Sequence, residues 1–144
     1  MHIFTDSSVK NNIAIGCYLI IEDLDDPIDI KTISMISSSS TIAEMTTIHH
    51  VLVIVDMMPN KLSHITLYTD CENFVNLIER RQYDEKLKNH RNYEFYKTLI
   101  DLVKNNNVDV KWIKGHSKKA DKDKYEMIFS LVDKQARKLV RQIG

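Results

Sequence analysis

Residues 30–55 read IKTISMISSSSTIAEMTTIHHVLVIV. The opening alternates, with Ile30, Thr32 and Ser34 on one side and Lys31, Ile33 and Met35 on the other, which is the period of a strand. The Ser/Thr cluster Ser37–Thr41 follows and suits the start of a helix. Beyond it the period changes. Ile42, Met45, Ile48, Leu52 and Val55 recur at helical spacing, and the stripe ends before Pro59. Thr41-Ile-Ala-Glu44 fits a capping box, which predicts Glu44 in the first turn of this helix. Within one short stretch the chain changes from strand to long helix.

Working outward, the N-terminal side is β-prone. His2–Asp6 and Ile13–Ile21 are predicted strands, and Ile30–Ser37 is a third. Glu22–Asp29 holds Pro27 and four aspartates and reads as a turn, so the second and third strands are expected to be joined tightly in a β-meander. The C-terminal side alternates strand and helix. His64–Thr69 and Val108–Ile113 are predicted strands; Cys71–Arg81, Asn92–Asn105 and Tyr125–Ile143 are predicted helices. The order β-β-β-α-β-α-α-β-α implies an α/β fold, with a five-stranded mixed sheet of three antiparallel strands followed by parallel ones, flanked by helices. No repeat or linker divides the chain, so residues 1–144 are read as one domain.

Composition narrows the class. An apolar content of 43% supplies a core, while 3 glycines and 2 prolines exclude collagen-like or linker-rich chains. The apolar runs are too short to cross a bilayer, so no membrane partner is expected. No basic region followed by an apolar run begins the sequence, so export is not expected. Cys17 and Cys71 are too few for a disulfide framework, which makes the cytoplasm the expected compartment. The sequence leaves the oligomeric state open, with a monomer as the default.

The net charge of zero conceals an asymmetry. Residues 1–75 carry 10 acidic and 3 basic side chains, net −7; residues 76–144 carry 10 acidic and 17 basic, net +7. Arg80–Arg91 and Lys111–Lys124 concentrate the positive charge. Two basic clusters in one half favour a polyanionic partner, with nucleic acid the obvious class.

The acids fall in a pattern of their own. Asp6 is read at the end of the first strand, Asp70 at the end of the fourth, Glu44 on the first long helix and Asp133 on the last. Taken singly, each has an ordinary structural reading: a turn residue, a helix cap, a capping-box glutamate, a solvent-facing helix acid. Together they need a cation, because gathered carboxylates repel one another. Magnesium, a hard ion that prefers oxygen ligands, supplies it.

With these elements in place, the sequence resembles the ribonuclease H type 1 family. The resemblance is carried by Phe4-Thr5-Asp6-Ser7-Ser8, Ala43-Glu44, Tyr68-Thr69-Asp70-Cys71, Trp112-Ile113-Lys114-Gly115-His116 and Val132-Asp133-Lys134-Gln135-Ala136-Arg137. It spans almost the whole chain in the family's order.

The resemblance implies a metal-dependent endonuclease that cuts the RNA strand of RNA–DNA hybrids, leaving 5′-phosphate and 3′-hydroxyl ends. Asp6, Glu44, Asp70 and Asp133 match the family's carboxylates. Asp6 would bridge two Mg2+ ions, with Mn2+ as a substitute, between Glu44 and Asp70 on one side and Asp133 on the other. His116 would assist proton movement or product release. Arg80, Arg81, Lys86, Lys88 and Arg91 would grip substrate phosphates, with Tyr83 and Tyr93 nearby, and Lys114 and Cys71 are further substrate-binding candidates.

Ser7 stands where many relatives have glycine. Ser40 and Thr41 stand where many have the asparagines that contact the hybrid. Their hydroxyls can still donate or accept, so all three are candidate substrate contacts. The same departures leave room for a nuclease of the same fold with another substrate, a DNA junction or double-stranded RNA, and for a catalytically silent binding module.

Overall fold

The structure is a computed structural model, and it describes residues 1–59, 64–80, 92–114 and 123–143. Its strands are β1 (His2–Lys10), β2 (Ile13–Ile21), β3 (Lys31–Ile36), β4 (Ile65–Thr69) and β5 (Val108–Trp112). The helices are α1 (Ser40–Asp56), α2 (Glu72–Arg80), α3 (Tyr93–Asn105) and α4 (Lys124–Gln142). The element order expected from the sequence is the observed one. The strands lie in the order β3-β2-β1-β4-β5; β1 pairs antiparallel with β2 and parallel with β4.

Three local expectations are corrected. First, β1 does not stop at Asp6. It continues to Lys10, pairing Asp6 with Cys17, Ser7 with Gly16 and Ser8 with Ile15. Second, the tight connection joins β1 to β2, where Lys10 pairs with Ile13 and only Asn11 and Asn12 intervene. Both have positive φ, 53° and 65°, the conformation that a two-residue hairpin turn demands and asparagine tolerates. The β2–β3 connection is the longer, Asp-rich one. Third, Glu44 is not a capping-box residue. Ser39 is the N-cap, its side chain accepting from Ile42 N, and the first turn of α1 holds no acid. Glu44 therefore lies a turn further in and is free for another task.

Both faces of the sheet are covered. Ile3, Ile65 and Leu67 meet α1 and α3 in one core with Ile48, Leu52 and Leu99. Phe4, Leu19 and Tyr68 meet α4 in the other with Phe129, Val132 and Ala136. Consecutive β1 residues thus serve opposite cores, as the strand's two-residue period requires. Asp6 shares Phe4's side of β1, the side α4 covers. The approach of α1 is set at Gly16, where an added Cβ would lie 2.1 Å from Thr47 Oγ1. Only a residue without a side chain lets this helix sit so close to β2.

Candidate active site

Strand length positions the acids. The last β1–β4 pair is Phe4 with Tyr68. Continuing that register by two residues puts Asp6 level with Asp70, just past the end of β4. Asp6 is mid-strand toward β2 yet at the open C-terminal end of the parallel strands, where α/β sheets place their sites. Thr69 shapes the exit: its Oγ1 accepts from Cys71 N at 3.1 Å and its carbonyl from Ile113 N at 2.9 Å. Glu44 arrives from α1, one turn before Thr47.

The structure brings Asp6, Glu44 and Asp70 together, with one carboxylate oxygen of each lying within 4.8 Å of the others. Asp6 and Glu44 are buried and Asp70 is half-buried. Ser7 binds them twice: its amide donates to Asp6 Oδ1 at 2.9 Å and its hydroxyl to Glu44 Oε2 at 2.9 Å. Asp133, on α4, hydrogen-bonds to Asp6. Its side chain is 15% exposed and pairs with Arg137 Nη2 at 2.8 Å. Asp133 is therefore half-buried beside Asp6, next to the three acids that converge.

The electrostatics are strained. Burial, then the charge of Glu44 and the hydrogen bond with Asp133, push Asp6 up to about 11. Burial, then the charge of Asp70, push Glu44 up to about 7, against hydrogen bonds from Ser7 and Asp6 that favour its ionised form. Glu44 Oε1 is buried with no hydrogen-bond partner. An orphaned carboxylate oxygen beside two more hard oxygen donors fits a divalent cation of the magnesium type.

A cavity of about 420 Å3 opens on the three acids and is also lined by Ser7, Ser40, Thr41 and Cys71, together with Glu72 and Asn73. The last two were missed in the sequence; their one signal is that both fall within a turn of Asp70. Asn73 Nδ2 donates to Thr41 Oγ1 at 3.3 Å and ties α2 to α1 across the mouth. Burial pushes the Cys71 thiol up to about 11, so it stays uncharged. Arg80, at the end of α2, and Lys114, beyond β5, are exposed and lie outside that cavity. His116, Arg81, Lys86, Lys88 and Arg91 fall outside the described residues, as does Tyr83. His49 and His50 turn to different aromatic partners, Phe95 and Tyr18. Among the described residues no helix is long and apolar enough to cross a membrane.

A sequence model of the family described as RNase H matches residues 1–138. No curated protein matches the sequence. LC11-RNase H1, isolated from compost by a metagenomic approach, superposes with a TM-score of 0.73 at 14% identity, covering 99% of this chain and 96% of that one. The same protein in complex with an RNA/DNA hybrid gives 0.61 at 16% identity, covering 79% and 85%. The protease–reverse transcriptase of prototype foamy virus gives 0.71 at 13% identity over 96% of this chain, which spans only 20% of that protein.

Proposed function

The chain belongs to the RNase H family, and on that premise we propose that it is a metal-dependent endonuclease hydrolysing the RNA strand of RNA–DNA hybrids to 5′-phosphate and 3′-hydroxyl ends. One observation carries the proposal: three carboxylates from three elements share a point within 4.8 Å, and Glu44 Oε1 there has no partner. A protein gathers like charges in this way at the cost of raised pKa values, and a bound cation offsets that cost.

Asp6, Glu44 and Asp70 would hold one magnesium ion, and Asp6 with Asp133 a second, with manganese as a substitute. When bound, the metal supplies Lewis-acid activation of water and stabilisation of the departing oxygen in an in-line displacement. The chain's own side chains do the rest. Ser7 fixes the Glu44 carboxylate by its hydroxyl and the Asp6 carboxylate by its amide. Arg137 holds the Asp133 carboxylate. Ser40 and Thr41 present hydroxyls at the cavity and are the proposed contacts to substrate. Arg80 and Lys114, with the basic residues between 81 and 91, attract phosphate without reading sequence. His116 is the proposed proton carrier, since a neutral imidazole works near pH 7. Cys17 and Cys71 are both free thiols, which supports a reducing cytoplasm as the place of work.

A second reading has one observation in its favour. Thr41 Oγ1, a hydroxyl expected to face the hybrid, already accepts from Asn73. The same cleavage chemistry on another duplex is the alternative.

The test is cleavage of a labelled RNA–DNA hybrid by the wild type and by Asp70→Asn, with magnesium and with chelator, beside matched all-DNA and all-RNA duplexes. Cleavage of the hybrid alone, lost in the variant and in chelator, is the expected result. Equal cleavage of all-DNA transfers the assignment to the second reading, and no cleavage with either magnesium or manganese overturns both.

A further inference from the structure

Trp112 is the chain's one tryptophan, and it is 48% exposed. It stands out from the other exposed apolar side chains, such as Ile36 and Met57, by its place and not by its exposure. Its position is specific. Trp112 pairs with Thr69 across β4–β5, and Asp70 follows Thr69 directly. Beside the indole is a cavity of about 230 Å3, lined by Trp112, Val75, Asn76 and Glu72. Glu72 also lines the acid cavity, so the two are neighbours on either side of that residue at the start of α2.

From this geometry we infer that the Trp112 cavity is a stacking site for an unpaired nucleobase, so that the substrate engaged by the acid cluster is a hybrid with a single-stranded flank. The inference rests on the nuclease reading above and adds to it a substrate class.

The lining chooses the occupant. Glu72, a lining residue, disfavours a phosphate in this cavity, where no gathered carboxylates among the described residues call for a bound cation to offset its charge, so an uncharged group fits better. The indole and the Val75 side chain offer a flat apolar surface, and the Asn76 carboxamide offers a donor and an acceptor to the edge of a planar heterocycle. Bases inside a duplex are already stacked and present no free face, whereas an unpaired base does. Among the described residues no basic one lines the concavity, but exposed ones are close to it in the chain. Lys111 and Lys114 flank Trp112 in the chain and are exposed, and Arg80 closes the far end of α2. An aromatic platform within a basic surround is the general solution for single strands.

The lone tryptophan makes the test direct. Asp70→Asn protein is titrated, with magnesium, with blunt hybrid, with hybrid bearing an RNA or a DNA overhang at either end, and with the single-stranded oligonucleotide alone. Binding is read by anisotropy of a labelled strand and stacking by the emission of Trp112; wild type in chelator provides a second, unmutated measurement.

The expected result is quenching by overhang hybrid and not by blunt hybrid, with the overhang bound more tightly. Trp112→Ala then weakens overhang binding about tenfold and blunt binding less than about twofold, and Trp112→Phe keeps most of the advantage. The Trp112 factor stays the same as salt rises, unlike that of Lys114→Ala, which flattens the salt dependence. Equal affinity and equal emission for blunt and overhang hybrids, with binding evident by anisotropy, overturns the inference and leaves the nuclease reading intact. Quenching by the single strand with no hybrid bound removes the hybrid substrate, and overturns both the inference and the nuclease reading.

Discussion

The Ser7 hydroxyl donates to Glu44 Oε2 at 2.9 Å, joining the middle of β1 to the second turn of α1. A residue that departs from the family's usual glycine thus orients one of the gathered acids. Ser7→Ala removes that donor and leaves Glu44 without its fixed orientation. Magnesium affinity, measured by calorimetric titration, is expected to fall about tenfold, as losses of groups that orient metal ligands do. An unchanged affinity separates Ser7 from the metal.

Arg137 does for Asp133 what Ser7 does for Glu44, through a 2.8 Å pair one helical turn away. Arg137→Ala frees the Asp133 carboxylate. Cleavage is expected to need about tenfold more magnesium for half-maximal rate. Arg137→Lys recovers only part of this, because an ammonium lacks the guanidinium fork. The magnesium dependence of the rate decides, with circular dichroism to show that α4 remains folded.

The pH dependence follows from the raised carboxyls. Burial, with the neighbouring acids, holds Glu44 at about 7 and Asp6 at about 11, above ordinary values of 4.5 and 3.8. Between the ordinary and the raised value the folded chain keeps protons that the unfolded chain has released. In chelator, the stability these two carboxyls contribute is therefore fully present below the ordinary carboxylate range and is lost as pH rises from about 4.5 toward 7 for Glu44, and further up for Asp6. A divalent cation held by these acids would displace those protons, so its stabilising effect is expected to grow with pH. Thermal melts at about pH 5 and about pH 8, with and without the metal, check both signs. A Tm in chelator that climbs over this window sinks the picture of crowded acids.

Gly16→Ala drives a methyl into Thr47, whose Oγ1 lies 2.1 Å from the added Cβ position. Thr47 is held by its own bond to the Ala43 carbonyl at 2.9 Å, so it has little room to turn away. The expected cost is about 1–3 kcal/mol of stability. Because Glu44 is one turn from Thr47 on the same helix, magnesium affinity falls as well. Denaturant melts and metal titration read the two effects separately.

Much of this architecture was legible along the chain. The switch from alternation to a 3.6-residue stripe across Ser37–Thr41 announced β3 and α1, and the later switches announced β4, β5 and α4. Boundaries were less legible. Ser7 and Ser8 look like turn residues, yet β1 runs through them because β2 supplies Gly16 and Ile15 as partners. Asn11 and Asn12 carry the turn signal, and their positive φ confirms it. Thr41 and Glu44 mimic a capping box, but Ser39 caps the helix and shifts its frame by two residues. In the site, Glu72 and Asn73 were missed because an exposed first turn of a helix carries no hydrophobic pattern by which to notice it.

The sequence by itself determined the period of each segment, the order of strands and helices, the opposed charges of the two halves and the identity of the acids. These are local or additive properties, and backbone geometry converts them directly into elements. The tertiary structure alone decided that Asp6, Glu44 and Asp70 converge, because convergence depends on β1 outrunning β4, on Gly16 admitting α1 and on which residue caps that helix. Those are relations between segments distant in the chain, set by pairing register and packing distance, and no window of sequence contains them.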